Sequence, residues 1–351
     1  MTRTSTDGRS ERVVDPIHER ASERPLTAEE AEAAFGRIMR GEAADEHTAA
    51  LLLALRERGE TPSEVAAGVR ALRSAMVEVR LEADGLVDTC GTGGGKMTTF
   101  NISTVAALAA AGGGVPVAKH GNRSFTSKCG SADVLEALGV AVDLGPDRVA
   151  AVFEATGFCF MYAPRFHPAM RHVAPVRRRL GVTTIMNLLG PLTSPARVRR
   201  QVVGVPDPEL LELIAGALLE LGHERALVVH GEPGLDELSP LGTTRGMRLE
   251  EGRLEPFEVR PERFGWNGLD PEGLRGGEPA ENARLAERIL SGEERGAARA
   301  AVELNAGAAF WAAGRAETLE EGVEAARASL DEGRALETLE RLRTLSGRAD
   351  G

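Results

Sequence analysis

Three lysines, Lys96, Lys119 and Lys128, stand within 33 residues of a chain whose other 39 basic residues are all arginines. Arginine can replace lysine on most solvated faces. A lysine ammonium is a compact point charge on a flexible stem, suited to one phosphate oxygen in a tight space. The same window is the part of the chain richest in Gly, Ser and Thr. Its stretch KHGNRSFTSKCGS carries Lys119, Arg123, Lys128 and the hydroxyls of Ser124, Thr126, Ser127 and Ser131. These are donors for a highly charged anion such as a diphosphate. The competing reading is an exposed basic loop in an acidic protein, and the density of hydroxyls speaks against it.

GTGGGKMTTFNIST, Gly91 to Thr104, has a related chemistry. It is not GxGxxG, because Lys96 takes the last glycine's place, and its spacing is one residue short of a P-loop. Its glycines let backbone N–H groups approach an anion. A helix starting near Asn101 adds free N–H groups and the positive end of a dipole, and Ser103 and Thr104 add hydroxyls. The alternative is a tight strand-to-helix turn with Asn101 as the N-cap. GLDELS sets Asp236 beside Glu237. Alone, such a pair reads as a solvated acidic turn. In the company of two anion loops it reads as a Mg²⁺ site, since that ion takes a few carboxylates, water and substrate phosphates. His167 and Arg177 stand ten residues apart on predicted helix. Either alone is usually a surface residue, yet an arginine fork suits a carboxylate substrate.

The elements that must position these residues follow from the pattern. Residues 1–24 are charged and aperiodic and read as a mobile tail. LTAEEAEAAFGRIMRGEA opens a helix, with Thr27 and Glu30 forming a capping box. Two more helices follow around RGET, the second capped by Thr61 or Ser63. A small all-helical domain is therefore expected over 25–82, with a returning helical segment near 165–190. From residue 85 the pattern becomes strand, glycine loop, helix, strand, in GLVDTCG, NISTVAALAAAGGG, VPVAKHG and SADVLEALG, and later ERALVVHG. That spacing predicts βαβ units and an α/β domain with a mainly parallel central sheet, over 83–164 and 191–346. Ser131 or Asp133 is expected to cap the helix in SADVLEALG. All three candidate loops follow strands directly, so they share the carboxyl rim where such sheets bind ligands.

Composition narrows the function. A net charge of −11 disfavours broad nucleic-acid or anionic-membrane binding. Three cysteines, Cys90, Cys129 and Cys159, have no paired spacing for a disulfide framework or a zinc site. With no apolar run long enough to span a bilayer and no apolar signal core, a cytoplasmic protein is expected. Hydrophobic residues make up 42% of the chain but aromatics only 4%, so the core must be Ala, Val and Leu in closely packed helices.

Together the motifs DTCGTGG, FNIST, KHGNRS, SKCGSAD, FMYAP, FHPAM, APVRRRLG, NLLGPLTSP and LDELS stand in the order and spacing of the anthranilate phosphoribosyltransferase family, which the chain closely resembles. The resemblance runs from about residue 26 to about 345, and the ordered set is very specific. It implies the nucleoside phosphorylase/anthranilate phosphoribosyltransferase-like fold, paired as a homodimer through the helical domain. It implies transfer of the phosphoribosyl group of 5-phosphoribosyl 1-diphosphate to the amine of anthranilate, on the way to tryptophan, with Mg²⁺ as cofactor. Carried over motif by motif, Gly91, Gly94, Gly95, Thr99, Asn101, Ser103, Thr104, the run Lys119, His120, Gly121, Asn122, Arg123, Ser124, Thr126, Ser127, and Ser131 would hold the phosphoribosyl diphosphate. Ser103, Asp236 and Glu237 would hold the metal. Gly91, His120, Asn122, His167 and Arg177 would line the anthranilate path. Lys119 and Arg177 would be the catalytic pair, through the leaving group and the acceptor carboxylate.

One departure stands out. The family usually reads GTGGDG, and this chain reads GTGGGK. Gly95 replaces an aspartate and Lys96 a glycine, a swing of two charge units at the anion loop. Altered Mg²⁺ handling, or a paralogous enzyme acting on another aromatic acid, is the corresponding expectation. A nucleic-acid-binding relative is disfavoured by charge, and a nucleoside phosphorylase by the lack of its lysine–serine phosphate motif.

Overall fold

The computed structural model describes residues 17–124 and 128–347. Thr126 and Ser127, two of the expected anion-loop hydroxyls, lie outside those residues, as do residues 1–16 of the expected tail.

The helical part begins earlier than expected. Ile17–Glu23, assigned above to the tail, form α1. The cause is long-range: Ala21 is fully buried, and Arg58 Nη1 donates to the Ala21 and Arg24 carbonyls at 3.1 and 2.7 Å. Those bonds take up carbonyls that a helix end leaves open. α2 (Ala28–Met39) starts at its capping box, where Glu30 N–H donates to Thr27 Oγ1 at 3.2 Å and Thr27 N–H to Glu30 Oε2 at 3.0 Å. α3 (Asp45–Arg58) and α4 (Pro62–Ser74) follow, with Thr61 rather than Ser63 capping α4. Glu64 pins the three together. Its buried carboxylate accepts from Leu26 N–H at 2.8 Å, Thr61 N–H at 2.9 Å and Arg58 Nη2 at 2.5 Å, the pairing a buried charge requires.

The α/β part runs β1 (Val87–Gly91), α5 (Ile102–Gly112), β2 (Val117–Gly121), α6 (Ser131–Ala137), α7 (Pro146–Thr156) and β3 (Phe158–Tyr162). Three helices then return toward the helical part: α8 (Ala163–Phe166), α9 (Ala174–Leu180) and α10 (Ile185–Leu192). Val173, Val176, Ile185 and Leu189 share one buried cluster with Phe35, Leu52 and Leu72. The chain continues through β4 (Arg200–Gly204), α11 (Leu210–Glu220), β5 (Arg225–Gly231), β6 (Thr244–Glu250) and β7 (Arg253–Val259). It ends in α12 (Pro279–Leu290), α13 (Ala297–Ala312), α14 (Leu319–Asp331) and α15 (Arg334–Ser346).

The strand order is β3-β2-β1-β4-β5-β6-β7. β1 to β5 pair in parallel, and β6 and β7 form an antiparallel hairpin on the edge. β3, β4, β6 and β7 carry no loop motif and are absent from the expectations above. Side chains alternate between two covered faces, as a parallel sheet requires. Val87, Val117, Val202 and Leu227 face the α5 and α13 side. Cys90, Val203, Ala226 and Val228 face the helical part. The Ala-rich core packs as closely as its composition predicts: every residue of α13 is buried, and its Gly307 lies against Gly322 of α14.

Candidate active site

The carboxyl ends of β1, β2, β4 and β5 lie along one edge, but β4 separates β1 from β5. The loop after β5 must cross the end of β4 to meet the loop after β1. Gly204 makes the crossing possible, because a β-carbon there would overlap the Asp236 carbonyl oxygen. Two bonds close the junction: Thr92 N–H donates to Gly204 O at 2.9 Å and Lys96 N–H to Gly234 O at 3.0 Å. From behind, Asn305 of α13 accepts from Leu238 N–H at 3.0 Å and donates to Leu238 O at 2.9 Å.

This junction brings the acidic pair into the anion loop. Asp236 accepts from Gly93 N–H, and a β-carbon on Gly91 would stand 3.0 Å from its Oδ2. Glu237 accepts from Ser103 N–H, so it satisfies one of the donors that the start of α5 leaves open. Asn101 occupies the N-cap position of α5 without a side-chain capping bond. Its amide instead donates to Cys129 O at 3.0 Å and accepts from Asn282 Nδ2 at 3.0 Å. The Asn101 cap of the alternative reading is thus replaced by Glu237, because the side chain is drawn into a bridge between the loop after β2 and α12. Burial pushes the Glu237 carboxyl up to about 8, the Asp236 charge adds to this, and Lys119 and the Ser103 N–H oppose it. Burial also raises Asp236, against the Gly93 N–H and His230.

Lys119 lies beneath the rim, 2% exposed. Its Nζ donates to Thr89 O at 2.5 Å and Ser103 Oγ at 3.3 Å. Burial pulls its pKa down, and Asp88, Cys90 and Glu237 pull it back up. Thr104 also turns into the core, 1% exposed. Gly94 stays exposed in the left-handed region, at φ 90°, and Thr99 bridges to Arg275.

The loop after β2 is closed on α6 by Asp133, the alternative to Ser131 as the cap. Asp133 Oδ2 accepts from Gly130 N–H at 2.8 Å and Ser124 N–H at 3.1 Å. Ser131 Oγ is instead within 3.2 Å of both Asn122 N and Asn122 O. Arg123, expected on the diphosphate, pairs with Glu136 at 2.6 and 2.7 Å and with Asp133 at 2.9 Å. In an exposed pair of this kind the net gain is small, about 1 kcal/mol or less, so a ligand phosphate can compete for it.

His120 and His167 meet with ring centroids 4.9 Å apart. His167 is not on a helix as expected. It sits between α8 and a 3₁₀ turn at φ −120°, ψ 63°, because the proline that follows it excludes helical backbone at the preceding residue. The carboxyl end of α10 orients both rings. The Gly190 carbonyl accepts from His120 and the Thr193 carbonyl from His167. Pro191 O accepts from Gln201 Nε2 at 2.7 Å and Leu192 O from Arg73 Nη2 at 2.8 Å. Both Nε2 atoms are buried without a partner among the described residues, so Nδ1 is the nitrogen that meets each carbonyl and Nε2 is an open acceptor. Burial keeps both rings neutral at pH 7, pulling His167 down to about 4 and His120 well below its usual value. Arg177, on α9, is part-buried, and its guanidinium makes no hydrogen bond or ion pair among the described residues.

Three residues of the site have no role assigned in the sequence analysis. Asp88 is a fully buried carboxylate in an apolar strand, accepting from His120 N–H at 3.1 Å, and burial raises it to about 7. Asn305 is a lone polar residue in an alanine-rich helix, and His230 Nδ1–H donates to Val205 O at 3.0 Å. Asp88 and Asn305 share a readable signal, a polar side chain where the period demands an apolar one.

Asp236, Glu237 and Ser103 Oγ are hard oxygen donors, and no larger cluster of His, Cys, Asp or Glu forms among the described residues. Two carboxylates pressed together by burial fit Mg²⁺, which leaves its other positions to water and phosphate. Among the described residues no helix is long and apolar enough to cross a membrane.

Two family profiles match: "Glycosyl transferase family, helical bundle domain" over residues 15–76 and "Glycosyl transferase family, a/b domain" over 83–336. An anthranilate phosphoribosyltransferase of Rubrobacter xylanophilus is 50% identical over 337 residues, 96% of this chain and 98% of that protein. The crystal structure of the anthranilate phosphoribosyltransferase of Thermus thermophilus superposes with a TM-score of 0.89 at 48% identity, over 95% of this chain and 99% of that one. The Saccharomyces cerevisiae enzyme, in complex with PRPP and Mg, gives 0.85 at 27% identity, over 94% and 96%.

Proposed function

The chain belongs to the anthranilate phosphoribosyltransferase family, and from that we propose how its own residues divide the work. The enzyme transfers the phosphoribosyl group of 5-phosphoribosyl 1-diphosphate to the amine of anthranilate, releasing diphosphate, in tryptophan biosynthesis. One observation supports the division of roles best. The glycine loop, the amino end of α5 and the Asp236–Glu237 pair converge on one point, so an anion cradle and a cation site coincide. A sugar diphosphate with its divalent cation is a ligand that satisfies both.

In this reading the N–H groups of Gly94 and Gly95 receive the diphosphate, together with the Lys119–Ser124 loop, because those of Thr92, Gly93 and the first turn of α5 are already taken within the chain. Ser103, Asp236 and Glu237 hold Mg²⁺, which neutralises diphosphate charge when bound. Lys119 works from beneath as a buried positive charge, worth most where water is excluded. As diphosphate departs, positive charge develops on the ribose, and preorganised donors stabilise the leaving group without reorganising. No covalent nucleophile is needed. The anthranilate amine is neutral at pH 7 and attacks the anomeric carbon directly as the bond to diphosphate breaks, and the nitrogen then gives its surplus proton to solvent. Arg177, with no partner among the described residues, takes the acceptor's carboxylate in a bidentate bond. His120, His167 and Asn122 line its approach. A homodimer formed through the helical domain, in the cytoplasm, completes the reading, and sedimentation of the purified chain tests the pairing.

The function is tested by anthranilate fluorescence with phosphoribosyl diphosphate and a Mg²⁺ titration. Fluorescence falls as anthranilate is consumed, and Arg177→Ala blunts the fall. No consumption at any Mg²⁺ concentration, in folded protein that binds the donor, would overturn the acceptor assignment.

A further inference from the structure

Of the three lysines, Lys119 is buried under the rim and Lys128 faces Glu278 at 3.6 Å. Lys96 is different. It is exposed, and its ammonium makes no hydrogen bond or ion pair among the described residues. This is unusual where carboxylates abound. Glu232 lies two residues from Gly234, against which Lys96 packs, yet it faces Arg245 at 3.7 Å.

The rest of Lys96 is held. Its N–H donates to Gly234 O at 3.0 Å. Its stem lies on Gly234: a β-carbon there would stand 3.2, 3.3 and 3.5 Å from Lys96 Cβ, Cδ and Cγ. The preceding residue, Gly95, abuts Asp236, with Oδ1 2.7 Å from the place of its missing β-carbon. Consecutive α-carbons are about 3.8 Å apart, so Lys96 starts one residue from the acidic pair. Its stem runs over the loop that carries that pair, and the charged head stays in water.

We propose that Lys96 binds the departing diphosphate, from the solvent side of the cradle that Lys119 underlies, and supplies part of the neutralising charge that otherwise falls to the divalent cation. The inference rests on the donor site assigned above. A lysine suits the role because its ammonium is a mobile point charge that can follow a leaving group, where an arginine fork would fix one geometry. Glycine at position 95 completes the arrangement, since Asp236 stays seated in the loop and Lys96 is left as its outward charge.

The experiment is calorimetric binding of phosphoribosyl diphosphate, and separately of inorganic diphosphate, to the full chain, without Mg²⁺ and at several Mg²⁺ concentrations. The parent is compared with Lys96→Met, which keeps the stem, and Lys96→Arg, which keeps the charge. Lys96→Met is expected to weaken both ligands roughly two- to fivefold without Mg²⁺, the size of a partly solvated charge contact. The gap should narrow as Mg²⁺ rises, and Lys96→Arg should recover most of the loss. Equal affinities for parent and Lys96→Met at every Mg²⁺ concentration would overturn the proposal. So would a loss that ignores Mg²⁺ and is not recovered by arginine, since that marks Lys96 as a loop anchor only. A parent that binds neither ligand would remove the donor site itself and this inference with it.

Discussion

Asp236 is seated in the glycine loop after β1, its Oδ1 2.7 Å from the point where a β-carbon on Gly95 would stand. The residue that departs from the family pattern is thus in contact with a proposed metal ligand. An aspartate at position 95 could not share this space without moving Asp236.

Gly95→Asp should therefore unseat Asp236 and set a third carboxylate beside it. The crowding should cost about 1–3 kcal/mol in the metal-free protein, and Mg²⁺ should recover much of it by bridging the carboxylates. Urea unfolding with and without Mg²⁺ measures both. Unchanged stability and an unchanged Mg²⁺ dependence of donor binding would refute this account of the departure.

Arg177 is a half-buried guanidinium without a partner among the described residues. Arg177→Ala should lower kcat/KM for anthranilate roughly ten- to hundredfold, the range for a lost hydrogen-bonded charge contact. The donor's affinity should hold. A fall in donor affinity of the same size would place Arg177 on the wrong substrate.

Asn305 brackets the Leu238 backbone at 3.0 and 2.9 Å, one residue past Glu237. Asn305→Ala leaves a buried N–H and a buried carbonyl unpaired, at about 1–3 kcal/mol for each group left unsatisfied. Amide exchange at 235–239 should accelerate, and Mg²⁺-dependent donor binding should weaken with it. Exchange that stays slow would show that another contact holds the loop.

His223 is buried, with Nδ1 3.2 Å from Leu218 O and Nε2 3.1 Å from Gln201 Oε1. Burial pulls its pKa down to about 3, with Arg73 pushing the same way. The unfolded chain takes the proton first, below about 6.5. The stability tied to neutral His223 is thus complete above about 6.5 and is lost as pH falls from there toward 3. The slope is about 1.4 kcal/mol per pH unit for each such histidine. His120 and His167 are depressed in the same direction. Denaturant midpoints between about pH 7 and about pH 4.5 should drop, and His223→Gln should flatten the slope by about one proton. An unaltered slope would mean that His223 is charged in the native state.

Local chemistry in the sequence determined much of this protein. Glycine loops and hydroxyls after short apolar strands set out the rim, and the Thr27 and Thr61 boxes set the helix starts. These are signals carried by residues three or four positions apart. The Asp236–Glu237 pair was legible only through its neighbours, since an isolated acidic pair has no sign of its own. Tertiary structure alone decided what each polar group meets. It let the loop after β5 cross Gly204, gave α5 a cap from Glu237 while Asn101 bridged elsewhere, and turned both histidines toward the carbonyls of α10. It also ordered α1 through Arg58 and extended the parallel sheet with the antiparallel β6–β7 hairpin. Each of these depends on partners from separate elements, and in most the partners are tens of residues or more apart. No local period records such partners, because a hydrogen bond or a close approach depends on where chains meet in space.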